Sequence, residues 1–443
     1  MSERLLSVGL DVGTTSTQLV VSELLVENRA SGFAVPEMEI TDRKICYRSP
    51  VHFTPLVEEK LVDGAEIRRI VEEEYGKAGI SREMVDTGAI IITGETSRKE
   101  NAGRVLEALS ELAGDFVVAT AGPDLESILA AKGAGAVEYS RETGKTVLHM
   151  DIGGGTSNLA LIRDGKIEAT GCLNVGGRLV KFSDTGAVTY LSPVIASLTS
   201  MKMGQIPTKE EGRNLAQQLT AALEMAAGRR EHTELLDQLM TEETVKPWQP
   251  PKEEVVVSFS GGVADCIAEE IPAFAFGDLG PELGRAIRNS SLCGGEYVLG
   301  SETIRATVIG AGCHSTQLSG STVYHQNVRF PLKNLPVVEF SDASAGVREE
   351  ICILAFPGKI SPSYGEISRM AEQILSQIKP PIRLCLQQDM AKALGQALAL
   401  RLPAESEILC IDGLRVEEGS YLDIGAPVDC ALPVVIKTLV LSK

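Results

Sequence analysis

"GLDVGTTSTQLVV", Gly9–Val21, ends an apolar run on one aspartate, Asp11, and follows it with Gly13 and four hydroxyl residues, Thr14, Thr15, Ser16 and Thr17. The pattern returns later in the chain: "DIGGGTSNLAL" from Asp151 aligns without a gap on "DVGTTSTQLVV" from Asp11. Asp, Gly and Leu are identical in the two copies, Val12 pairs with Ile152, Ser16 with Thr156, and Gln18 with Asn158. Each copy has the same neighbours. "LLSVGLDV" and "TVLHMDI" read as buried strands, the small residues as tight turns, and "TQLVVSEL" and "SNLALI" as returning strands. An internal repeat of this kind is two β-hairpins, each with an aspartate where its first strand ends.

The composition of such a turn follows from what it must hold. Glycine admits positive φ and lets a ligand reach the backbone, so successive N–H groups can converge on an anion while Thr and Ser hydroxyls add donors. An aspartate beside phosphate oxygens is repelled unless a cation intervenes, and Mg²⁺ bridges carboxylate and phosphate while keeping several waters. The expected site is therefore one Mg²⁺–polyphosphate between two hairpins. Asp11 and Asp151 would hold the metal, and Gly13, Thr14, Thr15, Gly153, Gly154, Gly155 and Thr156 the phosphates.

Composition narrows the class. The chain has 443 residues, enough for two or three domains, with 44% hydrophobic and 23% charged residues. Sixty acidic against 42 basic residues give a net charge of −18, which disfavours nucleic acid and anionic membranes as partners. Nine cysteines without a C-x-x-C pair point to reduced thiols rather than a disulfide framework or a zinc site. The N-terminus lacks a signal-peptide pattern and no window has the apolar length of a membrane span, so a cytoplasmic protein is expected.

Other nucleotide motifs fit less well. No G-x-x-x-x-G-K-[ST] occurs. "TVIGAGCHSTQ" from Thr307 reads as a strand followed by Gly310 and Gly312, but Ser315 stands where a dinucleotide fingerprint needs its third Gly or Ala. "VVVSFSGGVADCIAEEI" from Val255 reads as strand, turn at Gly261 and Gly262, then amphipathic helix; the glycines would let a flat purine lie on the backbone.

The ordered set "DVGTTS", "DIGGGTS" and "SFSGGVA" resembles the actin, sugar-kinase and heat-shock-chaperone ATPase superfamily over residues 5–315. The resemblance implies an α/β, actin-like (ribonuclease H-like) two-lobed fold binding ATP and Mg²⁺. It also implies a connecting helix at "AGPDLESILAAKGAGA" from Ala121, with Asp124 or Glu126 orienting the attacking water and Gly133 and Gly135 packing closely. We take Asp11, Asp151 and Glu126 as catalytic candidates. A second connecting helix belongs after the adenosine motif, where "TIRATVIGAG" is short and ambiguous.

"ITGETSRKENA", "NVGGRL", "TVIGAGCHSTQLSGSTV", "QQDMAKALGQAL" and "DGLRVEEGSYLDIGAPV" further resemble the ethanolamine ammonia-lyase reactivating-factor family, EutA, across nearly the whole chain. Such a protein is implied to use ATP and Mg²⁺ to release damaged cobalamin from ethanolamine ammonia-lyase so that adenosylcobalamin can enter. A homo-oligomer and residence in a bacterial microcompartment stay open. So do two other classes, a small-molecule kinase on the same scaffold and an ATP-binding assembly scaffold that does not hydrolyse.

Residues 1–135 would form the first ATPase lobe, 136–320 the second, and 321–443 a C-terminal α/β region. In that region "ICILAF", "IRLCLQ" and "EILCID" read as strands, and Met390, Ala393, Leu394, Ala397 and Leu398 as the apolar stripe of a helix with Lys392 solvated. "TEETVKPWQPPKEE" from Thr241 reads as a charged, Pro-rich linker in which Trp248 anchors packing. Thr93 and Gly94 after "TGAIII" offer a further turn near the phosphates, with Arg98 or Lys99 for charge, although a helix start with surface ions is the plainer reading.

Overall fold

The computed structural model describes residues 2–13, 16–29, 38–57, 61–93, 117–120, 122–241, 247–314, 316–320, 322–340, 352–416, 420–428 and 431–438. In the first sheet, Ser2–Val12 pairs antiparallel with Ser16–Asn28, which pairs antiparallel with Met38–Arg48. On its other side Ser2–Val12 runs parallel to Thr87–Ile92, and that strand parallel to Val117–Thr120. The second sheet repeats this order and these directions. Val147–Ile152 takes the central place, with Ser157–Arg163 and Lys166–Leu173 antiparallel on one side and Val256–Ser260 and Tyr297–Leu299 parallel on the other. That order and polarity are ribonuclease H-like, and their duplication gives the actin-like architecture. Thr87–Ile92 and Val147–Ile152 are buried along their whole length because both faces of each sheet are covered, which is why they read as continuous apolar runs.

Two connecting helices cross where the sheets meet. The first, Pro123–Gly133, stands where the sequence expects it. The second is Ala306–His314, so the strand reading of the segment from Thr307 is overturned. Val308–Cys313 are all buried, and a short run that is apolar on every side has no period with which to tell helix from strand. Glycine lets the helices touch backbone to backbone. A Cβ on Gly133 would lie 2.7 Å from the Gly310 nitrogen and overlap the Ala306 carbonyl, and one on Gly310 would overlap the Leu129 carbonyl. Gly9 does the same for the second helix against the first sheet, since its Cβ would lie 2.7 Å from the Gly312 nitrogen. Gly135 has another role: with φ +78° it breaks the chain between Pro123–Gly133 and the next helix, Ala136–Thr143.

The last region is one eight-stranded sheet whose centre holds the parallel strands Ile353–Phe356, Ile382–Leu386 and Ile408–Ile411. Helix Ala391–Ala399 buries Leu394, Gly395, Ala397 and Leu398, but Ala393 faces solvent beside Lys392, so the stripe is narrower than its spacing suggests. The sheet begins immediately after the second connecting helix with Thr316–Leu318, which pairs with Pro433–Thr438. This edge docks on the first sheet. Thr87 and Thr316 hydroxyls bond at 2.8 Å, Val435 packs with Ala89 and Ile91, and Val428 and Ala431 pack with Leu5, Leu24 and Val26. Trp248 lies in the core of the second lobe, donating from Nε1 to the Ala226 carbonyl at 3.0 Å. Every cysteine among the described residues is free, and no described helix is long and apolar enough to cross a membrane.

The helix crossing predicts opposite signs for two Gly→Ala substitutions. Gly310→Ala forces a methyl into the Leu129 backbone and should cost about 1–3 kcal/mol in denaturant unfolding. Gly76→Ala, in helix Gly64–Ala78 with open space around it, should add about 0.5–1 kcal/mol. Equal effects would show that the helices are not locked at this crossing.

Candidate functional site

The two hairpin turns face one cleft of about 350 Å³ between the sheets, lined by Asp11, Gly13, Ser16 and Gln18 from one copy and Asp151, Gly153–Thr156 and Asn158 from the other. Both turns close with the same bond: Gly13 N–H donates to the Ser16 carbonyl and Gly153 N–H to the Thr156 carbonyl, each at 2.9 Å. Across each hairpin the aspartate stands opposite an amide, Asp11 opposite Gln18 and Asp151 opposite Asn158. Thr14 and Thr15 lie outside the described residues, as do Gly94, Arg98 and Lys99.

Each carboxylate accepts from a hydroxyl carried on the neighbouring parallel strand's chain. Thr93 Oγ1 donates to Asp11 Oδ1 at 2.8 Å, and Ser260 Oγ donates to Asp151 Oδ1. Glu126, buried on the first connecting helix, accepts from Asn158 Nδ2 at 2.8 Å and lines the cleft. Asp124 accepts from Thr170 and is not among the cleft residues, so geometry separates the two acidic candidates.

Burial dominates the electrostatics of both carboxyls. Burial raises the Asp11 carboxyl to about 7; the Thr93 bond works against this and the charge of Asp151 adds to it. Burial likewise raises Asp151 to about 6, against the Ser260 bond. Gln18 Oε1 and Asn158 Oδ1 are buried acceptors without a hydrogen-bond donor among the described residues. Gln18 spends its Nε2 on the Ile304 carbonyl at 3.1 Å, as Asn158 spends Nδ2 on Glu126, so both amide oxygens remain for something else. Two carboxylates and two amide oxygens form an oxygen-only acceptor set, which suits a hard cation whose bound waters donate outward. Among the described residues no three His, Cys, Asp or Glu side chains converge to cage a metal directly.

Gly261 and Gly262 line the same cleft at the start of helix Gly262–Ala268. Gly261 has φ +83°, and its Cβ would overlap the Ile152 carbonyl, so the turn sits directly against the end of the Asp151 strand. By contrast, Gly153, Gly154 and Gly155 do not have positive φ; a Cβ on Gly154 would meet Arg178 at ordinary contact and one on Gly155 nothing within 4 Å. Their value is an uncovered backbone rather than a special conformation. Arg178, which sequence reasoning did not single out, is the one cation lining the cleft among the described residues, paired with Asp278 at 3.1 Å. Exposed Phe276 also lines it. Neither residue belongs to a repeat, so only proximity in space reveals them.

A wider groove of about 930 Å³ lies between helices Lys209–Ala226 and Gly280–Arg288. It contains none of the repeat residues, and Arg230 and Arg285 there already pair with Glu224 and Glu282. Size alone does not make it the site.

The family profile described as "Ethanolamine utilisation protein EutA" matches residues 3–352 and 344–442. The chain is 36% identical over 476 aligned positions to a protein named "Ethanolamine ammonia-lyase reactivase EutA" from Salmonella typhimurium, covering 99% of both chains, and equally so to its namesake from Escherichia coli. Among solved structures, the Ppx/GppA family member from Aquifex aeolicus is similar at 13% identity and a TM-score of 0.43, over 70% of this chain and 97% of that one. The ethanolamine utilization protein EutJ from Carboxydothermus hydrogenoformans is similar at 19% identity and a TM-score of 0.34, over 69% and 88%.

The raised carboxyls carry a stability prediction whose sign is fixed. Between about pH 4 and 7 the folded chain keeps protons on Asp11 and Asp151 that the unfolded chain releases, so their contribution falls as pH rises. Asp11→Asn should therefore raise the melting temperature of the ligand-free protein at pH 8, by roughly 2 °C or more, and change it little at pH 4. A loss of stability at pH 8 would contradict the repulsion described above.

Proposed function

The chain belongs to the EutA family, and from that premise we propose that it is an ATP-dependent reactivating chaperone that frees ethanolamine ammonia-lyase of damaged cobalamin so that adenosylcobalamin can rebind. One observation carries the nucleotide reading: two matched hairpins bring Asp11, Asp151 and the donor-less oxygens of Gln18 and Asn158 to a single cleft. Mg²⁺ would supply charge neutralisation between these acceptors and the phosphates. The backbone of Gly13 and of Gly153–Thr156 would bind the phosphate chain, and Arg178 would turn from Asp278 toward its negative charge. Gly261, Gly262 and the ring of Phe276 form the flatter, more apolar end, suited to the base.

Phosphoryl transfer asks mainly for positioning and charge stabilisation. Glu126, held by Asn158, would accept a proton from the attacking water. Hydrolysis would act on the client through the lobes. The C-terminal sheet docks on the first lobe and is joined to the second connecting helix, so a change in lobe angle would carry that sheet with it. Nucleotide can drive such a change only by binding one arrangement more tightly; moving a population from 1:99 to 99:1 takes about 5.5 kcal/mol.

The deciding assay mixes analogue-blocked ethanolamine ammonia-lyase with this protein, adenosylcobalamin, ATP and Mg²⁺. Deaminase activity should return, and should not when Mg²⁺ is omitted or Asp11→Asn is used. That variant, and Asp151→Asn, should hydrolyse ATP ~10²-fold more slowly while staying folded. ATP turnover without analogue release would leave another client, and stoichiometric phosphorylation of a small hydroxylated compound would make the protein a kinase.

Gly155→Val, whose side chain projects into open cleft, should weaken Mg·ATP binding by ~10-fold in calorimetry with little change in melting temperature. Unchanged affinity would mean that this turn does not touch phosphate.

A further inference from the structure

The two halves of the repeat differ at one place that the nucleotide reading does not use. Two residues before each aspartate the first copy has Gly9 and the second His149. Gly9 is explained by the second connecting helix, which leaves no room for a side chain. His149 is wholly buried, and both ring nitrogens are engaged by serines of the adjacent strand Val256–Ser260: Nδ1 with Ser258 Oγ at 3.1 Å and Nε2 with Ser260 Oγ at 2.9 Å. Ser260 in turn donates to Asp151 Oδ1.

The proton positions follow from counting. Once Asp151 is ionised its carboxylate only accepts, so the single hydroxyl hydrogen of Ser260 goes to Asp151. Ser260 Oγ must then accept from His149, which puts the ring hydrogen on Nε2 and leaves Nδ1 to accept from Ser258. The register places Ser258 opposite His149 and Ser260 opposite Asp151, so the row runs straight from the core to the cleft. Asp11 has only the first link of such a row, Thr93.

On the reading that Asp151 holds the nucleotide's metal, we infer that His149 and Ser260 are positioning residues that commit Asp151 Oδ1 to the protein and leave its other oxygen, in one fixed orientation, for the metal's water. His149 never meets the nucleotide. It acts by denying Ser260 any other direction for its hydrogen.

The test uses the full-length protein and calorimetry of ADP binding with Mg²⁺ and with EDTA, which separates orientation of the metal ligand from the integrity of the cleft. Wild type should bind ADP more tightly with Mg²⁺. Ser260→Ala should lose ~10-fold of that advantage and His149→Phe ~3-fold or more, with metal-free ADP affinity within ~2-fold of wild type in both. His149→Gln, whose amide can place an N–H where Nε2 lies, and Ser260→Thr should recover most of the loss. The inference is overturned if Ser260→Ala and His149→Phe keep the full Mg²⁺ advantage, if they lose affinity equally with and without metal, or if His149→Gln does no better than His149→Phe. Asp151→Asn separates the two levels. Loss of the advantage there, but not in Ser260→Ala, would leave the metal reading standing and remove the role of this row; a wild type indifferent to Mg²⁺ would remove both.

Discussion

Burying two carboxyls in one cleft, one from each half of the repeat, opposes their ionisation, and much of this molecule can be understood from that cost. Asp11 and Asp151 each raise their proton affinity by burial, and Asp151 adds its charge to the cost at Asp11. Each has one oxygen held by a hydroxyl, Thr93 or Ser260, and the amide oxygens of Gln18 and Asn158 beside them have no donor among the described residues.

The lobes are tied where the carboxylates are not. Gly133 and Gly310 let two helices cross with backbone against backbone, and Gly9 seats the second of these on the first sheet. Small side chains fill the rest of the contact, Ala130 and Ala134 against Ala306 and Leu129 against Ala311, so the crossing is held by close backbone approach and buried apolar packing. The first helix also carries Glu126 into the cleft, and the second leads directly into strand Thr316–Leu318 of the C-terminal sheet. Cleft, crossing and outer sheet are therefore linked through two touching helices.

The same repeat has become asymmetric in the way its two carboxylates are supported. At the equivalent place, one half needs glycine for helix contact and the other has room for an imidazole. The resemblance is thus kept at the aspartate and at the Gly N–H bond that closes each turn, and lost one layer behind, at Gly9 and His149.

The sequence by itself determined the two hairpins, the aspartates at their strand ends and the Gly261–Gly262 turn between strand and helix, because these depend on local rules: apolar runs, small-residue turns and glycine conformations recur as recognisable strings. It also assigned the parallel strands of the last region. It did not distinguish helix from strand at Ala306–His314, since a segment buried on all sides has no polar face to set a period. Nor could it choose Glu126 over Asp124, find Arg178, or give Gln18 and Asn158 a role, although it aligned them with each other. Those decisions rest on which side chains meet across two sheets and which oxygens are left without donors. Such facts belong to pairs of residues far apart in the chain, and only the tertiary structure brings them to one place.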